Sequence, residues 1–249
     1  MKLSIIIPAK DEEKRIGRTL EEYSSFFGKI PNLDYEILVM INNTTDNTKG
    51  VVNQIAKKNN NLKCFELPGK GKRYAIMEGF KEALKSDGDL IGFVDADLAT
   101  PSESFFRLIE SMNGKDVAIA SRAHPESVVR TSLKRKIFSV GFNFGVRALL
   151  QLPIKDTQCG AKLFTRQAVK EILKDPPYSQ WAFDVEVLYD LRKKKFSISE
   201  VPTVWEDKAN SKLNLKKVPL QMGLGVLRLR IINSPFRGFM RIYDWTEIK

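Results

Sequence analysis

The sequence predicts an α/β fold in which a mostly parallel central sheet carries helices on both faces. Short runs of β-branched and other apolar residues alternate, along the first half, with segments whose apolar residues recur at helical spacing. Strands that alternate with helices in this way form parallel sheets with right-handed crossovers. Polar residues directly follow several strand candidates, and such folds bind ligands beyond the carboxyl ends of their strands.

Strands and helices are predicted in alternation from the amino terminus. The apolar runs predict strands at 3–8, 35–41, 62–67, 90–94 and 116–121. Helical spacing predicts helices from about Glu12, at about 47–58, at 72–85 and at 102 to about 112, the last capped by Ser102. Because parallel strands end at one edge of the sheet, the polar segments that follow them should gather there: 8–12, 42–46, 95–97 and 121–122.

The composition is that of a globular protein with an excess of positive charge. The chain has 249 residues, enough for one large domain or two small ones, and 43% of them are hydrophobic. Its net charge of +11 favours anionic partners, which are nucleic acid, phosphorylated substrates or an anionic membrane surface. Two distant cysteines, Cys64 and Cys159, and the single His124 argue against a disulfide framework and a structural zinc site.

The most informative stretch is Asp95-Ala96-Asp97, which directly follows the fourth predicted strand. Residues two apart in a strand point to the same face, so both carboxylates can lie on one side at the strand end. Two acidic oxygen donors suit Mg²⁺ or Mn²⁺, which usually also binds substrate phosphates. The alternative is an acidic turn without a ligand, and this motif alone does not decide between the two.

The loop before the third predicted helix is Gly69-Lys70-Gly71-Lys72. It lacks the spacing of a phosphate-cradling G-x-x-x-x-G-K-[ST] loop and the third glycine of a dinucleotide fingerprint. Two interpretations remain open, a flexible basic turn and a set of lysines that face a phosphate.

Several motifs together resemble the family 2 glycosyltransferases. Residues 8–13 and the Asp95-Ala96-Asp97 motif are similar to the GT-A fold of that family, whose dolichyl-phosphate glucosyltransferase and mannosyltransferase branch has blocks like those at 156–164, 181–186 and 201–207. The resemblance covers about residues 1–213 and leaves 214–249 as a basic amphipathic segment. It implies metal-dependent transfer of a sugar from a nucleotide diphosphate to a polyprenyl (dolichyl) phosphate, with inversion at the anomeric carbon.

The resemblance also implies roles for particular residues. Pro8, Lys10 and Glu12 should hold the base and ribose, and Asp95 and Asp97 should hold Mg²⁺ or Mn²⁺ on the donor diphosphate. The donor site is completed by rim residues, which are Asn42, Asp46, Lys72, Ala96 and Arg122. The residues expected at the acceptor phosphate are Arg122, Arg135, Ser139, Lys162, Ser211 and Lys212.

The chain departs from the family pattern at three places. Lys10-Asp11 replaces the usual Tyr-Asn, and Ile41-Asn42 replaces a paired aspartate, so the side chains that read the base differ. Ala99 stands where the mannosyl branch often has a third metal ligand, so water or substrate oxygens should complete the metal shell. The Gln-Cys-Gly and Trp-Ala-Phe-Asp motifs favour UDP-glucose over GDP-mannose as the donor.

The nature of the acceptor determines which residues must act. A phosphate monoester has a second pKa of about 6, so it is mostly ionised at neutral pH and needs cations rather than a general base. A hydroxyl acceptor needs a base, for which Asp184 and Glu186 are the candidates. The alternative is that these two acids only favour a helix amino terminus. Lys162 has its own alternative, a solvated charge at a strand edge, and Cys159 is expected to be a small packed residue.

Two segments predict contact with a membrane. Phe138, Phe142, Val146, Leu149 and Leu150 follow a basic cluster at 130–136, and a similar apolar and basic mixture continues from 216 to the carboxyl terminus. The alternative is that both segments pack on the core or form an oligomer contact. No apolar run near either end has the length of a signal peptide or a membrane span. We therefore expect a cytoplasmic protein that attaches peripherally to the cytoplasmic face of a membrane.

Two other functions are weighed against this one. The first is a glycosyltransferase of the same fold with a soluble, protein or polysaccharide acceptor, which would not need the basic apolar carboxyl-terminal segment. The second is a nucleic-acid-binding protein, which the net charge alone suggests. The second leaves Asp95 and Asp97 without a purpose, and the aromatic residues do not interleave with Lys and Arg as in a base-stacking surface. No nucleic-acid partner is therefore expected.

Overall fold

A computed structural model describes residues 1–207 and 217–234, and within them one seven-stranded sheet lies between two layers of helices. The strands are β1 (Lys2–Ala9), β2 (Asp34–Asn42), β3 (Leu62–Leu67), β4 (Leu90–Phe93), β5 (Val117–Ser121), β6 (Val128–Arg130), β7 (Lys162–Thr165), β8 (Ile198–Pro202) and β9 (Val204–Glu206). The helices are α1 (Ile16–Phe27), α2 (Thr48–Ala56), α3 (Lys72–Lys85), α4 (Ser102–Glu110), α5 (Leu133–Leu150), α6 (Arg166–Lys174), α7 (Phe183–Lys193) and α8 (Lys217–Ile232).

The large sheet has the strand order β3-β2-β1-β4-β7-β5-β8. All neighbouring pairs are parallel except those of β7, which runs antiparallel to both β4 and β5. The prediction of a mostly parallel sheet is confirmed. Because β7 reverses direction between two parallel strands, its amino-terminal end lies at the edge where β4 and β5 have their carboxyl ends. Strands β6 and β9 form a separate parallel pair.

The element boundaries predicted from the sequence agree closely, with two informative differences. Helix α1 begins at Ile16 rather than near Glu12. The residues between them form a turn, in which the Glu12 carbonyl accepts the backbone amides of Arg15 and Ile16. Ser102 begins α4 but does not cap it. Its hydroxyl and its amide both donate to Glu22 on α1, so it joins two helices instead.

Two hydrophobic cores lie on opposite faces of the sheet, as alternating side chains of β1 show. Ile5 and Ile7 point into a core closed by α1, α2 and α4. Ile6 points into a second core closed by α3, α6 and α7, to which α5 and α8 also contribute. The predicted helices on both faces are thereby confirmed. The loop after β1 and the loop after β4 each begin at a strand that is packed on both faces.

Helix α5 presents a different face to solvent from the one that the sequence indicated. Val146 and Leu150 are buried in the second core, and Phe142 packs against it. Residues at this helical spacing share the inward face, so the prediction that they contact a membrane is wrong for these three. Phe138 and Leu149 are exposed as predicted, together with four residues that the sequence reasoning passed over, Leu133, Ile137, Val140 and Phe144.

The described part of the carboxyl-terminal segment is helix α8. It packs against α5 and α7, and Val226 and Leu229 are buried in the second core. Leu224 and Leu227, on the other side of the helix, are exposed. Across residues 1–207 and 217–234, no helix combines the length and the apolar character that crossing a bilayer requires.

Candidate active site

The polar residues predicted to gather do lie at one edge of the sheet. Asn42 is the last residue of β2, Asp95 lies two residues beyond β4, and Arg122 directly follows β5. Lys162 begins β7 and is paired in register with Phe93 at the end of β4. The candidate site is therefore formed by the ends of four strands and the loops that join them to helices.

Asp95 is held from two sides. Its Oδ1 atom lies 2.5 Å from the Nζ of Lys72, the first residue of α3. Its Oδ2 atom lies against Gly160, where an added Cβ would come within 1.9 Å. Only a glycine at position 160 leaves room for the Asp95 carboxylate in this position. The Asp-Thr-Gln-Cys-Gly block therefore helps to determine where that carboxylate lies.

Asp97 lies deeper than Asp95 and is held by the backbone of its own turn. The amide of Ala99 donates to its Oδ1 at 3.0 Å, and the guanidinium of Arg15 lies 4.0 Å from its Oδ2. Burial raises the pKa of Asp97, and the nearby charge of Asp95 raises it further. Two carboxylates that disfavour each other's charge fit a divalent cation, because a cation would relieve their repulsion.

The donor set at this position is incomplete for a metal ion on its own. The described residues contain no group of three or more His, Cys, Asp or Glu side chains that could hold a metal. Asp95 and Asp97 thus fit a hard cation whose remaining positions are filled by water or by substrate phosphate oxygens, in the manner typical of Mg²⁺.

The Gly69–Lys72 loop is fixed in place rather than open. The side-chain amide of Asn42 donates to the Gly71 carbonyl at 3.0 Å, which ties the end of β2 to the start of α3. Gly71 has a φ of +96° and lies against the Gln180 side chain, so a larger residue is excluded there. The consequence is that Lys72 faces Asp95, so the loop is not a flexible turn, and its lysines facing a phosphate stay a prediction. Burial lowers the pKa of Lys72, but Asp95 and Asp184 raise it more, and the net pKa is well above its ordinary value.

The loops after β1 and β2 are held together by short side chains. Asp11 accepts the Thr45 amide at 2.7 Å, and Asp46 accepts the amides of Thr48 and Glu13. Although burial acts to raise it, these hydrogen bonds and that of the Thr48 hydroxyl lower the pKa of Asp46 to about 2. Asp46, predicted as a nucleotide contact, therefore has its oxygens engaged in holding this loop.

The other predicted residues of the nucleotide side are arranged around that loop. Pro8 is half-buried and Lys10 is exposed. Glu12 accepts both Nε and Nη2 of Arg15 at 2.7 Å, and burial raises the pKa of Glu12. Ala96 presents its carbonyl to the Thr19 hydroxyl at 2.7 Å, which anchors the acidic motif to α1.

Both arginines predicted at the acceptor phosphate are paired with acids. Arg122 donates from Nε and Nη2 to the buried carboxylate of Asp156 at 2.7 and 2.9 Å, and its guanidinium lies 5.1 Å from the ring of Trp205. Arg135 forms an ion pair with Asp207. Burial raises the pKa of Asp156, but Arg122 lowers it by more, so the carboxylate stays charged.

Lys162 is a deeply buried charge of the site. Its side chain is 1% exposed, and its ammonium donates to Asp184 Oδ1 and to the Cys159 carbonyl, each at 2.6 Å. It also lies 5.4 Å from the centroid of the Phe93 ring. The alternative of a solvated charge at a strand edge is wrong, because an unpaired lysine could not remain in such a position.

The two acids in the first turn of α7 both have partners. Asp184 is bound to Lys162, and Glu186 accepts the backbone amides of Tyr178 and Ser179 at 2.9 and 2.8 Å. Glu186 thereby holds in place the segment that precedes α7. Cys159, whose carbonyl accepts the Lys162 ammonium, is fully buried, and burial raises the pKa of its thiol to about 11, in agreement with a packed residue.

A comparison with known families decides the class of protein. The family model of glycosyl transferase family 2 matches residues 4–173. The chain belongs to this family. It is 33% identical over 243 residues to dolichyl-phosphate beta-glucosyltransferase of Dictyostelium discoideum, which is 92% of this chain and 73% of the relative. It is also 33% identical over 253 residues to the human protein of that name, with 94% and 77% covered.

Solved structures confirm the GT-A fold of this glycosyltransferase. One neighbour is glucosyl-3-phosphoglycerate synthase from Mycobacterium tuberculosis in complex with Mn²⁺, uridine diphosphate and glucosyl-3-phosphoglycerate. The two share a TM-score of 0.68 at 18% identity, over 92% of this chain and 79% of that one. At this identity the likeness shows the fold alone.

Not every predicted residue of the glycosyltransferase can be placed at the site. Ser139 is half-buried on the inward side of α5, where its carbonyl accepts the side-chain amide of Asn143 at 3.0 Å. Ser211 and Lys212 lie outside the described residues.

Sequence reasoning missed three residues that shape the site of the glycosyltransferase. Asp156 is the buried partner of Arg122, Gly160 backs Asp95, and Arg15 joins Glu12 to Asp97. An acid and a glycine bordering the apolar run of β7 were visible signals for the first two. Arg15 carried no comparable signal, because an arginine at a helix start is ordinary.

Proposed function

We propose that this glycosyltransferase transfers glucose from UDP-glucose to the phosphate of a polyprenyl phosphate, with inversion at the anomeric carbon. The observation that carries the proposal is that both candidate bases are already bound. Asp184 is held by Lys162, and Glu186 is held by two backbone amides. A hydroxyl acceptor would need one of them to take its proton, whereas an ionised phosphate can attack the anomeric carbon directly.

The positive charges around the site suit two anions at close range. Lys72 begins α3 and Arg122 follows β5, both near the Asp95-Ala96-Asp97 motif, and each is balanced by one carboxylate. We infer that Arg122 contacts phosphate through the part of its guanidinium that Asp156 does not occupy. The ammonium of Lys162 is enclosed, so we propose that it acts by holding Asp184 and the Cys159 carbonyl rather than by touching the acceptor.

Asp95 and Asp97 are the proposed ligands of Mg²⁺ or Mn²⁺. A divalent cation at this position would stabilise the negative charge that develops on the departing nucleoside diphosphate. Lys72 supports the same charge from the start of α3, and Gly160 keeps Asp95 in place.

The relatives support the choice of glucose and of a lipid phosphate. Both curated relatives described above are named dolichyl-phosphate beta-glucosyltransferases, and the structural neighbour was solved with uridine diphosphate. Lys10 and Asn42 depart from the usual base-reading residues, so GDP-mannose is the competing donor to test. The neighbour was also solved with a soluble compound, glucosyl-3-phosphoglycerate, which makes a soluble acceptor the second candidate.

A lipid acceptor places the enzyme at a membrane surface, and we propose peripheral attachment at the cytoplasmic face. The exposed apolar residues of α5 and the net charge of +11 support attachment.

The test is transfer of radiolabelled sugar into an organic-extractable lipid. UDP-glucose and GDP-mannose are compared with polyprenyl phosphate in detergent, with Mn²⁺, Mg²⁺ or a chelator, and phosphoglyceric acid replaces the lipid in a parallel arm. Metal-dependent label from UDP-glucose in the lipid phase is the expected result. Label only in a water-soluble product would move the function to a soluble acceptor, and preference for GDP-mannose would change the donor.

Asp97→Ala is the matching variant. It should lower metal-dependent transfer by at least about 10³-fold, because one of the two proposed ligands is lost. Its thermal unfolding should stay close to that of the wild type, since Asp97 contributes little to the core. Transfer at the wild-type rate in this variant would remove the metal argument.

A further inference from the structure

Asp95, one of the two proposed metal ligands, has a protein cation on one of its oxygens. The ammonium of Lys72 lies 2.5 Å from Oδ1 of Asp95, and Oδ2 lies against Gly160. A divalent cation that binds Asp95 must therefore come close to this ammonium. Two positive charges beside one carboxylate repel each other, so Lys72 weakens the binding of a metal for as long as it stays there.

The side chain of Lys72 can leave this position, although its backbone cannot. The side-chain amide of Asn42 holds the Gly71 carbonyl at the start of α3. The Lys72 side chain, by contrast, is 40% exposed, and a lysine has a flexible four-carbon stem. Lys162 differs in this respect, because it is 1% exposed and donates two hydrogen bonds at 2.6 Å. Of these two lysines, Lys72 is the one that can change its partner.

The amino terminus of α3 offers the Lys72 ammonium a second position. Among the described residues, no side chain caps this helix end, and the first turn of α3 contains no acid. The amino termini of helices favour anions such as phosphate. Because Lys72 is the first residue of α3, the same side chain lies beside the Asp95 carboxylate and at the helix end that favours a phosphate.

We propose that Lys72 is an exchangeable counter-cation, whose ammonium neutralises Asp95 until a divalent cation and a nucleoside diphosphate bind together and then moves to a phosphate oxygen. The proposal rests on the proposed function, in which Asp95 and Asp97 hold the metal of the donor diphosphate. Lys72 opposes the metal when the metal binds alone. When the diphosphate is present, the ammonium has a new partner and Asp95 becomes available. The metal and the nucleotide therefore strengthen each other's binding.

The test is the titration of Mn²⁺ alone, and of UDP at saturating Mn²⁺, into the wild type and into Lys72→Met, without sugar or acceptor. Calorimetry and the electron paramagnetic resonance signal of free Mn²⁺ are the measurements. Mn²⁺ alone should bind about tenfold more tightly to the variant, because Asp95 has lost its competing cation. UDP should bind about 10- to 100-fold more weakly, because a charged hydrogen bond to phosphate is lost.

Two further variants separate this effect from a structural one. Lys81→Met makes the same substitution at an exposed position of α3, where Lys81 pairs with Glu78, and should leave both affinities unchanged. Lys72→Arg keeps the charge and should keep the weak binding of Mn²⁺ alone. Methionine and lysine have similar helix propensities, and thermal unfolding checks that each variant is folded. A purely structural role of Lys72 would weaken both affinities in Lys72→Met, whereas the exchange moves them in opposite directions.

Either affinity can overturn the proposal. If Mn²⁺ alone binds Lys72→Met no more tightly than the wild type, Lys72 does not compete for Asp95. If UDP binds both proteins equally, the ammonium does not move to a phosphate. Transfer of glucose to polyprenyl phosphate is measured separately. Opposite shifts of the two affinities without transfer refute the proposed function alone, and transfer without those shifts refutes the exchange alone.

Discussion

The two halves of the active-site rim are built differently. On the nucleotide side, Asp11 and Asp46 hold loops through hydrogen bonds to backbone amides near solvent. On the side of β7 and α7, charges are buried in pairs, Lys162 with Asp184 and Arg122 with Asp156. The comparison teaches that residues on the nucleotide side can be replaced at a modest cost in stability. On the side of β7 and α7, removing one residue of a buried charge pair leaves the other charge unpaired and lowers the stability strongly.

The largest effect is expected at the buried pair. Lys162→Met leaves the Asp184 carboxylate without its partner in the core and should lower the free energy of unfolding by about 3–5 kcal/mol. Urea unfolding measures it. The double variant Lys162→Met/Asp184→Leu removes both charges and should recover most of the loss. A loss that persists in the double variant would mean that packing, rather than the charge pair, sets the cost.

Gly160 tests how firmly the buried side controls the acidic motif. A Cβ at this position would displace the Asp95 carboxylate, so Gly160→Ala should weaken Mn²⁺-dependent UDP binding by about 10- to 100-fold. Calorimetric titration with Mn²⁺ and UDP is the measurement. Gly141→Ala is the control, because nothing lies within 4 Å of a Cβ there. Equal affinity in the two variants would show that Asp95 can move without consequence.

The nucleotide-side loop should respond more weakly. Asp46→Ala removes the acceptors of the Thr48 amide, which begins α2, and of the Glu13 amide, and should cost about 1 kcal/mol at pH 7, after allowance for solvent screening. The pKa of Asp46 is lowered to about 2 in the folded protein, so its contribution is complete above about pH 4 and fades as the pH falls toward 2. Urea unfolding at several acidic pH values checks it. A cost that does not shrink with falling pH would contradict the role of the charged carboxylate.

Asp190 on α7 should show an effect of about the same size as that of Asp46, with the opposite sign. Burial raises its pKa to about 6, and the charge of Glu186 adds to this. A raised pKa means that the folded state loses stability as the pH rises from about 4 to about 6. Asp190→Asn should therefore stabilise the protein at pH 7 by about 1 kcal/mol after allowance for partial exposure, and not below about pH 4. A gain that is independent of pH would point to packing instead.

Local sequence signals predicted the early part of the fold well. The apolar run of β3 and the spacing of α3 matched the structure to the residue, because burial on a sheet or along one helix face leaves a clear period. Local signals predicted the site as a place, the shared edge of parallel strands, and the family resemblance added the expected residues. Which side chains pair there depends on contacts far apart in sequence, as Asn42 with Gly71 and Lys162 with Asp184 show.

The sequence by itself determined the α/β layering, the acidic pair of Asp95 and Asp97 at a strand end, and the family to which the chain belongs. Each of these depends on local patterns, because residue spacing and short motifs can be read along the chain without knowing what packs against them. Only the tertiary structure decided which face of α5 is exposed and that Lys162 is a buried partner rather than a surface charge. The physical reason is that the burial of a residue depends on what packs against it. The helices that pack against α5 and against Lys162 lie farther along the chain.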